Sequence, residues 1–344
     1  MSRPYRIAVD AMSGDNGPEV VLEAALNAIS EADDDVELIL VGDEDALQQA
    51  RHNHGAEASD HLTIHHSSQV VGMDDPPSQA MRNKRDSSMR VSIDLVKRGE
   101  ADVSVSAGNT GALMATARYV LKTLPGIDRP AICTSMPSET NRFNMLDLGA
   151  NVDCTADHLF QFALMGSVLA EAVDGVKCPR IGLLNLGEEE IKGNDQVKGA
   201  ASLLHDSELN YVGYVEGDSM YQGGADVVVC DGFTGNVALK ASEGVAALIS
   251  RYMREEFSRN PLTKLAGLVA MPVLRALRRR LDPRRYNGAS LLGLRGIVIK
   301  SHGGADAIAF QKAIEVGMLA AQQDVPRRIE QRLGELLPAR DNSG

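Results

Sequence analysis

The chain has 344 residues, 44% of them hydrophobic and 4% aromatic, with no tryptophan and a formal net charge of −12. That length buries a sizeable core, as one large α/β domain or two smaller lobes, and the apolar content with 32 Gly and 13 Pro excludes a disordered chain. The acidic balance and the scarcity of aromatic rings exclude a nucleic-acid surface built on phosphate contacts and base stacking.

Ile7-Ala8-Val9-Asp10 reads as a first buried strand. Its exit places Asp10, Ser13, Gly14 and Asp15 at the carboxyl end, where open parallel sheets put their ligands, before a helix opened by Pro18 and Glu19. Residues 36–42 form the next strand, and Asp43-Glu44-Asp45 is an acidic helix start, so a β-α-β rhythm is set. His52, His54, His61, His65 and His66 gather in a polar segment without a carboxylate-rich strand end, which reads as a solvated stretch rather than a metal site. Residues 71–77 cannot lie inside a helix, and Arg82, Lys84, Arg85 and Arg90 follow, cations that suit either a phosphate or a solvated helix face.

The most informative stretch is Ser104-Val105-Ser106-Ala107-Gly108-Asn109-Thr110-Gly111-Ala112, which closes an apolar strand and opens an apolar helix. Such a junction presents unpaired N–H groups and the positive end of the helix dipole, a setting for an anion. Gly108 and Gly111 let an oxyanion approach the chain, and Asn109 and Thr110 add uncharged donors. Ordinary turns and caps use the same residue types. The pattern returns in Val227-Val228-Val229-Cys230-Asp231-Gly232-Phe233-Thr234-Gly235-Asn236, ahead of a helix carrying Lys240, and two loops of one kind suggest one shared pocket.

Between them, residues 131–135 and 143–148 read as strands joined by a polar turn, and the second ends in a small-residue loop holding Asn151. An apolar helix over 159–173 follows, then a strand over 180–185 whose exit sets Lys192 beside Glu188, Glu189 and Glu190. Residues 251–285 carry a net charge of +7, leaving −19 on the rest. Leu262, Leu265, Leu268, Val269, Val273 and Leu277 make an apolar surface there, interrupted by Pro272. Apolar residues flanked by arginines suit an anionic membrane surface, an acidic protein partner, or a helical hairpin closing a dimer. The last strand, 296–300, ends in Ser301-His302-Gly303-Gly304, and His302 is a candidate proton donor or anion ligand.

Cys133, Cys154, Cys178 and Cys230 have no Cys-x-x-Cys spacing, and Cys133 and Cys230 sit inside apolar strand-like runs, so buried thiols in a reducing cytoplasm are expected, with no structural zinc. No apolar leader precedes the first strand and no apolar run approaches the ~18 residues of a spanning helix, so a soluble or peripherally attached protein is expected.

Taken in order, residues 9–15, 106–112, Asp147-Leu148-Gly149-Ala150-Asn151, Leu186-Gly187-Glu188-Glu189, residues 231–236 and Ser301-His302-Gly303 resemble the bacterial phosphate acyltransferases of phospholipid synthesis, which make acyl-phosphate from acyl-acyl carrier protein. The match spans nearly the whole length. The resemblance implies one α/β domain over 1–344, a three-layer α/β/α fold with a mostly parallel sheet of the phosphotransacetylase and isocitrate dehydrogenase type. Within it, 251–285 is expected as a protruding helical hairpin. It further implies a homodimer, acyl carrier protein and inorganic phosphate as substrates, and a cytoplasmic enzyme that touches anionic membrane through 262–281. Its product would pass to a membrane glycerol-3-phosphate acyltransferase. No cofactor and no metal ligand set is implied.

The residues agree with that chemistry. Phosphate attacking a thioester needs no enzyme nucleophile, and no Gly-x-Ser-x-Gly elbow is present. It needs a cradle for the anion and donors for the developing oxyanion. The binding candidates are Asp10, Ser13, Gly14, Asp15, Gly108, Asn109, Thr110, Gly111, Asn151, Thr234, Gly235 and Asn236, and the catalytic candidates are Lys192, Asp231, Lys240 and His302. The alternatives are a short-chain phosphotransacetylase using acyl-coenzyme A and a catalytically silent membrane scaffold. A dehydrogenase is excluded, since no Gly-x-Gly-x-x-Gly follows the first strand.

Overall fold

The computed structural model describes residues 3–32, 36–55 and 61–336, and the side chains at 278–281 and 283, including Arg278, Arg279 and Arg280, lie outside the described residues. The first half alternates β1 (Tyr5–Asp10), α1 (Gly17–Glu31), β2 (Val36–Gly42), α2 (Glu44–Asn53), β3 (Leu62–His66), α3 (Pro77–Asn83), α4 (Ser88–Lys97), β4 (Val103–Ser106) and α5 (Thr110–Leu121). Next come β5 (Ala131–Pro137), β6 (Arg142–Leu146), α6 (Ala156–Asp174), β7 (Ile181–Leu184), α7 (Asp195–His205), β8 (Tyr211–Val215), β9 (Val227–Val229) and the long α8 (Gly232–Ser258). The chain closes with α9 (Pro261–Leu281), β10 (Ala289–Leu292), β11 (Ile297–Lys300), α10 (Ala307–Gln322) and α11 (Val325–Leu336).

The described strands join in one sheet in the order β3-β2-β1-β4-β11-β10-β5-β6-β9-β7-β8. Neighbours are parallel except where β10 meets β11 and β5, and where β5 meets β6. The β5–β6 junction has a simple local cause. A polar turn, in which the Ser138 N–H donates to Asn141 O and the Asn141 N–H to Ser138 Oγ, both at 3.1 Å, replaces the helix that a parallel crossover needs. Three antiparallel junctions separate β4 from β9, so the two run in opposite directions. The carboxyl ends of β1, β4 and β11 lie at one edge of the sheet, and those of β6, β9 and β7 at the other.

Alternation along each strand sends neighbouring side chains to opposite faces. Ile7 and Val9 pack with α1 and α10, whereas Ala8 turns to Leu95 of α4. Val227 and Val229 pack with α6, whereas Val228 joins Leu113 and Ala117 of α5. Helices therefore cover both faces, which gives three layers. Gly166 allows α6 to lie close to the sheet, since a Cβ there would stand 2.6 Å from Val227.

The helical hairpin is longer than the charge pattern suggested, because its first arm is the whole end of α8 rather than a segment beginning at 251. Asn260 caps α9 by accepting from the Thr263 N–H at 3.0 Å, with Pro261 in the first turn. Gly267 faces the Phe257 ring, closing the two arms on each other. Pro272 was expected to interrupt the apolar surface, yet α9 continues through it. The exposed face from Leu262 to Leu277 is accordingly one stripe.

Candidate functional site

At the first edge three strand exits meet. The Ser301 N–H donates to Ser106 O at 2.9 Å and the Asp15 N–H to Gly303 O at 2.9 Å, so the exits of β4, β11 and β1 are sewn together by their own backbones. Gly14 has φ +99, and a Cβ there would meet Ala107 and the Gly303 carbonyl at 3.0 and 3.1 Å, so glycine is what allows the crossing. Ser106 Oγ donates to Asp10 Oδ2 at 2.6 Å and accepts from the Gly108 N–H at 3.1 Å, which fixes the turn into α5.

Lys300 closes β11 in the middle of this edge. Its Nζ donates to Ala107 O at 3.3 Å and to Ser301 O. Burial is the main cause that pushes its pKa down to about 8; Asp10 and Asp15 oppose the shift and Lys240 adds to it. No candidate set drawn from the sequence contained Lys300. The signal was there, a lysine ending a strand that is buried on both faces, because buried charges are held by partners or by a task.

Lys240 explains how the second half reaches this edge. It lies eight residues into α8, about 12 Å from its start at Gly232, and Ala238 and Leu239 pack on the face that carries α5. The loops 108–111 and 232–236, expected to share one pocket, leave opposite edges of the sheet. α8 starts at the second edge, and the charge of its Lys240 helps lower the Lys300 pKa. Lys240 also pairs with Glu243 at 2.8 Å.

Several candidates serve the backbone. Asn109 was expected to offer donors to an anion, but its Oδ1 caps α5 through the Ala112 N–H at 3.0 Å. Its Nδ2 donates to Met73 O at 2.5 Å and Asp75 O at 3.3 Å. That leaves the amides of Thr110 and Gly111 at the open first turn. Asp231, expected to be catalytic, caps α8, with Oδ1 accepting from the Thr234 N–H at 2.8 Å and Oδ2 from the Thr234 hydroxyl at 2.7 Å. Buried Asn151 donates to Pro130 O and Asp147, and its carbonyl accepts the Gly232 N–H at 2.7 Å. Gly235 carries the tightest approach, since a Cβ there would stand 1.9 Å from the Asp147 carbonyl oxygen.

His302, Lys192 and Asn236 are exposed. His302 is held by its backbone, whose N–H donates to Asn287 Oδ1 at 2.9 Å, and its Nδ1 accepts the Gly304 N–H at 3.1 Å. That contact leaves the proton of the neutral ring on Nε2. Lys192 and Asn236 lie at the second edge, where Leu186 (85% exposed), Ile191 (81%) and Phe233 (63%) present apolar side chains to solvent. Among the described residues no group of three or more His, Cys, Asp or Glu side chains stands ready for a metal ion. His54 faces Glu19 at 3.0 Å and His66 Nδ1 accepts the Glu44 N–H at 3.4 Å, so the histidine-rich stretch is spread over separate contacts.

Among the buried polar atoms without a hydrogen-bond partner, Asp10 Oδ1 and Ser13 Oγ lie at the first edge, as does Ser67 Oγ one residue past β3. Each unpaired buried group costs about 1–3 kcal/mol, so each such exception in a native fold calls for an explanation, a bound group being one. Three of the four thiols are set against nucleophilic use, and the fourth, Cys178, is exposed. Burial pushes Cys133 and Cys230 well above the ordinary thiol range and Cys154 up to about 11.

Comparison with known proteins agrees with this fold and shows the family. The model of the fatty acid synthesis protein family matches residues 5–328. The phosphate acyltransferase of Alkalilimnicola ehrlichii is 66% identical over 342 residues, covering 99% of this chain and all of that one. That of Halorhodospira halophila is 61% identical over 344 residues, covering both chains fully. Among solved structures, a phosphotransacetylase from Streptococcus pyogenes superposes with a TM-score of 0.63 at 21% identity, over 93% of this chain and 94% of that one. A branched-chain phosphotransacylase from Enterococcus faecalis gives 0.58 at 13% identity, over 92% and 99%. These two likenesses concern the fold alone.

Proposed function

The chain belongs to the phosphate acyltransferase family, and from that premise we propose that its first-edge site holds inorganic phosphate for direct attack on an acyl thioester carried by acyl carrier protein. The observation that carries the proposal is the convergence of three strand exits on one cation, Lys300, with two buried polar atoms left unpaired beside it. Lys300 supplies positive charge, and the first-turn amides of α5 supply donors that need no reorganisation. With the buried thiols disfavoured as thiolates, phosphate oxygen is the nucleophile. The O–C bond forms as the C–S bond breaks, and the phosphate hydroxyl proton balances the one taken up by the departing thiolate. His302 through Nε2 and Lys240 are the groups assigned to pass that proton, supported by the His302 ring nitrogen left free of the Gly304 contact and by the influence of Lys240 on Lys300.

The acyl-phosphate product feeds glycerol-3-phosphate acylation by a membrane enzyme in the same reading. Residues 262–281 rest on an anionic membrane surface, supported by the exposed stripe Leu262, Leu265, Leu268, Val269 and Val273 beside Lys264 and Arg275. No helix of the described residues is long and apolar enough to cross a membrane. The exposed face of α8 with Val245, Leu248, Ile249 and Tyr252 suits the homodimer. Leu265→Glu with Val269→Glu abolishes sedimentation with vesicles containing phosphatidylglycerol; unchanged sedimentation removes the membrane role. A monomer in sedimentation equilibrium removes the dimer.

The deciding experiment incubates the protein with palmitoyl-acyl carrier protein and follows release of free carrier. Release that depends on phosphate and yields a hydroxylamine-reactive acyl product is expected. A preference for acetyl-coenzyme A moves the assignment to a short-chain phosphotransacetylase, and silence with both donors leaves a scaffold.

A further inference from the structure

This inference rests on the phosphate reading above and concerns which species of anion the site accepts. Asp10 ends β1 with no exposed surface, and Ser13 is 3% exposed. One Asp10 oxygen holds Ser106, which holds Gly108; the other, Oδ1, has no partner. Ser13 Oγ is also without one. The two belong to one cluster, because a Cβ on Gly108 would stand 2.9 Å from Ser13 Oγ. An acceptor and a hydroxyl thus wait together at the point where three strand exits meet.

We propose that Asp10 is the residue that selects hydrogen phosphate, with Oδ1 accepting the hydrogen of the P–OH group while Ser13 Oγ donates to one of the unprotonated oxygens. The chemistry of the carboxylate makes this a selective contact. An ionised carboxylate can only accept, so it attracts a hydroxyl and repels a bare anionic oxygen. Sulfate matches hydrogen phosphate in shape and charge near neutral pH but has no hydroxyl. It would set oxygen against oxygen in a buried place. Specificity then comes from the repulsive element, as in other sites that discriminate close analogues. Lys300 carries the attraction for charge, which sulfate shares, so the discrimination belongs to Asp10. Neither orphan atom meets solvent, so entry of the anion requires the loops around Gly14, Gly108 and Gly303 to part.

The test compares anions of equal shape. In the wild type, sulfate at about 100 times the KM for phosphate should leave phosphate-dependent release unchanged, while arsenate, which keeps an acidic hydroxyl, should compete. In Asp10→Asn the amide oxygen can still accept from Ser106 and the amide hydrogens turn toward the anion. Sulfate should then become a competitive inhibitor, with a Ki within about tenfold of the KM for phosphate. Competition by sulfate in the wild type at a Ki within about tenfold of that KM overturns the proposal. So does a folded Asp10→Asn with a measurable phosphate KM and no new sensitivity to sulfate. If Asp10→Asn does not fold by circular dichroism, the wild-type comparison of sulfate with arsenate decides alone. The parent reading fails separately, when neither Lys300→Met nor Ser13→Ala alters the phosphate KM, and the proposal then falls with it.

Discussion

Asp10 and Asp147 are both wholly buried aspartates at the carboxyl ends of strands, one at each edge of the sheet. Their surroundings differ in one respect that decides what each does. Asp147 accepts from the amides of Ile132 (2.9 Å), Ala150 (3.1 Å) and Asn151 (2.6 Å) and from the Asn151 side chain (2.9 Å), so both oxygens are satisfied by the loop they shape. Burial raises its pKa, opposed by those bonds. Asp10 has one oxygen in use and one idle, with Lys300 nearby. A carboxylate whose bonds are complete is architecture, and one left incomplete beside a cation is where the proposed site has room for a ligand's hydrogen.

The comparison breaks most visibly at Asp147. Asp147→Ala strands three buried amides at about 1–3 kcal/mol each, so a loss of about 3–9 kcal/mol is expected, enough to prevent folding in a domain of ordinary stability. Denaturant unfolding or soluble yield measures it. A variant that folds with wild-type stability would show that the loop does not depend on this carboxylate, and the contrast with Asp10 would be lost.

The next effect falls on function at the other edge. Lys300→Met removes a preorganised cation and should lower kcat/KM for phosphate about 100- to 1,000-fold, with the melting temperature close to wild type, because two backbone carbonyls lose a donor but a buried charge is also removed. Equal losses in stability and activity would make Lys300 a structural residue like Asp147.

Much of this contrast was legible in the sequence, and what was not had a physical reason. The strand-to-helix loops at 108–111 and 232–236 and the helix bearing Lys240 stand where the residues placed them. Their relative direction was hidden, because a turn of four residues, 138–141, reverses the second half of the sheet, and nothing in the local pattern of β4 or β9 records it. The roles of Asn109 and Asp231 were hidden for another reason. A helix cap and an anion cradle both require short polar side chains beside free amides, so only geometry tells which amide meets which oxygen. The role of Lys300 was hidden because a lysine at the end of a strand usually reaches solvent, and its burial depends on β11 lying between β4 and β10.

The smallest expected effect is the most specific, and it concerns pH. Lys300 is held down to about 8 against an ordinary 10.5, with burial the main cause. Between those values the unfolded chain carries a proton that the native chain lacks, so this group makes the fold more stable as pH rises through the window. Phosphate binding has the opposite sign, since it needs the ammonium form. The kcat/KM for phosphate should therefore fall about tenfold per unit above pH 8 while the fold does not weaken. Lys300→Arg keeps its charge throughout this range and should lose that alkaline limb even if its overall rate is reduced by the larger head group. A limb that persists in the arginine variant assigns the titration to another group and separates Lys300 from the binding of phosphate.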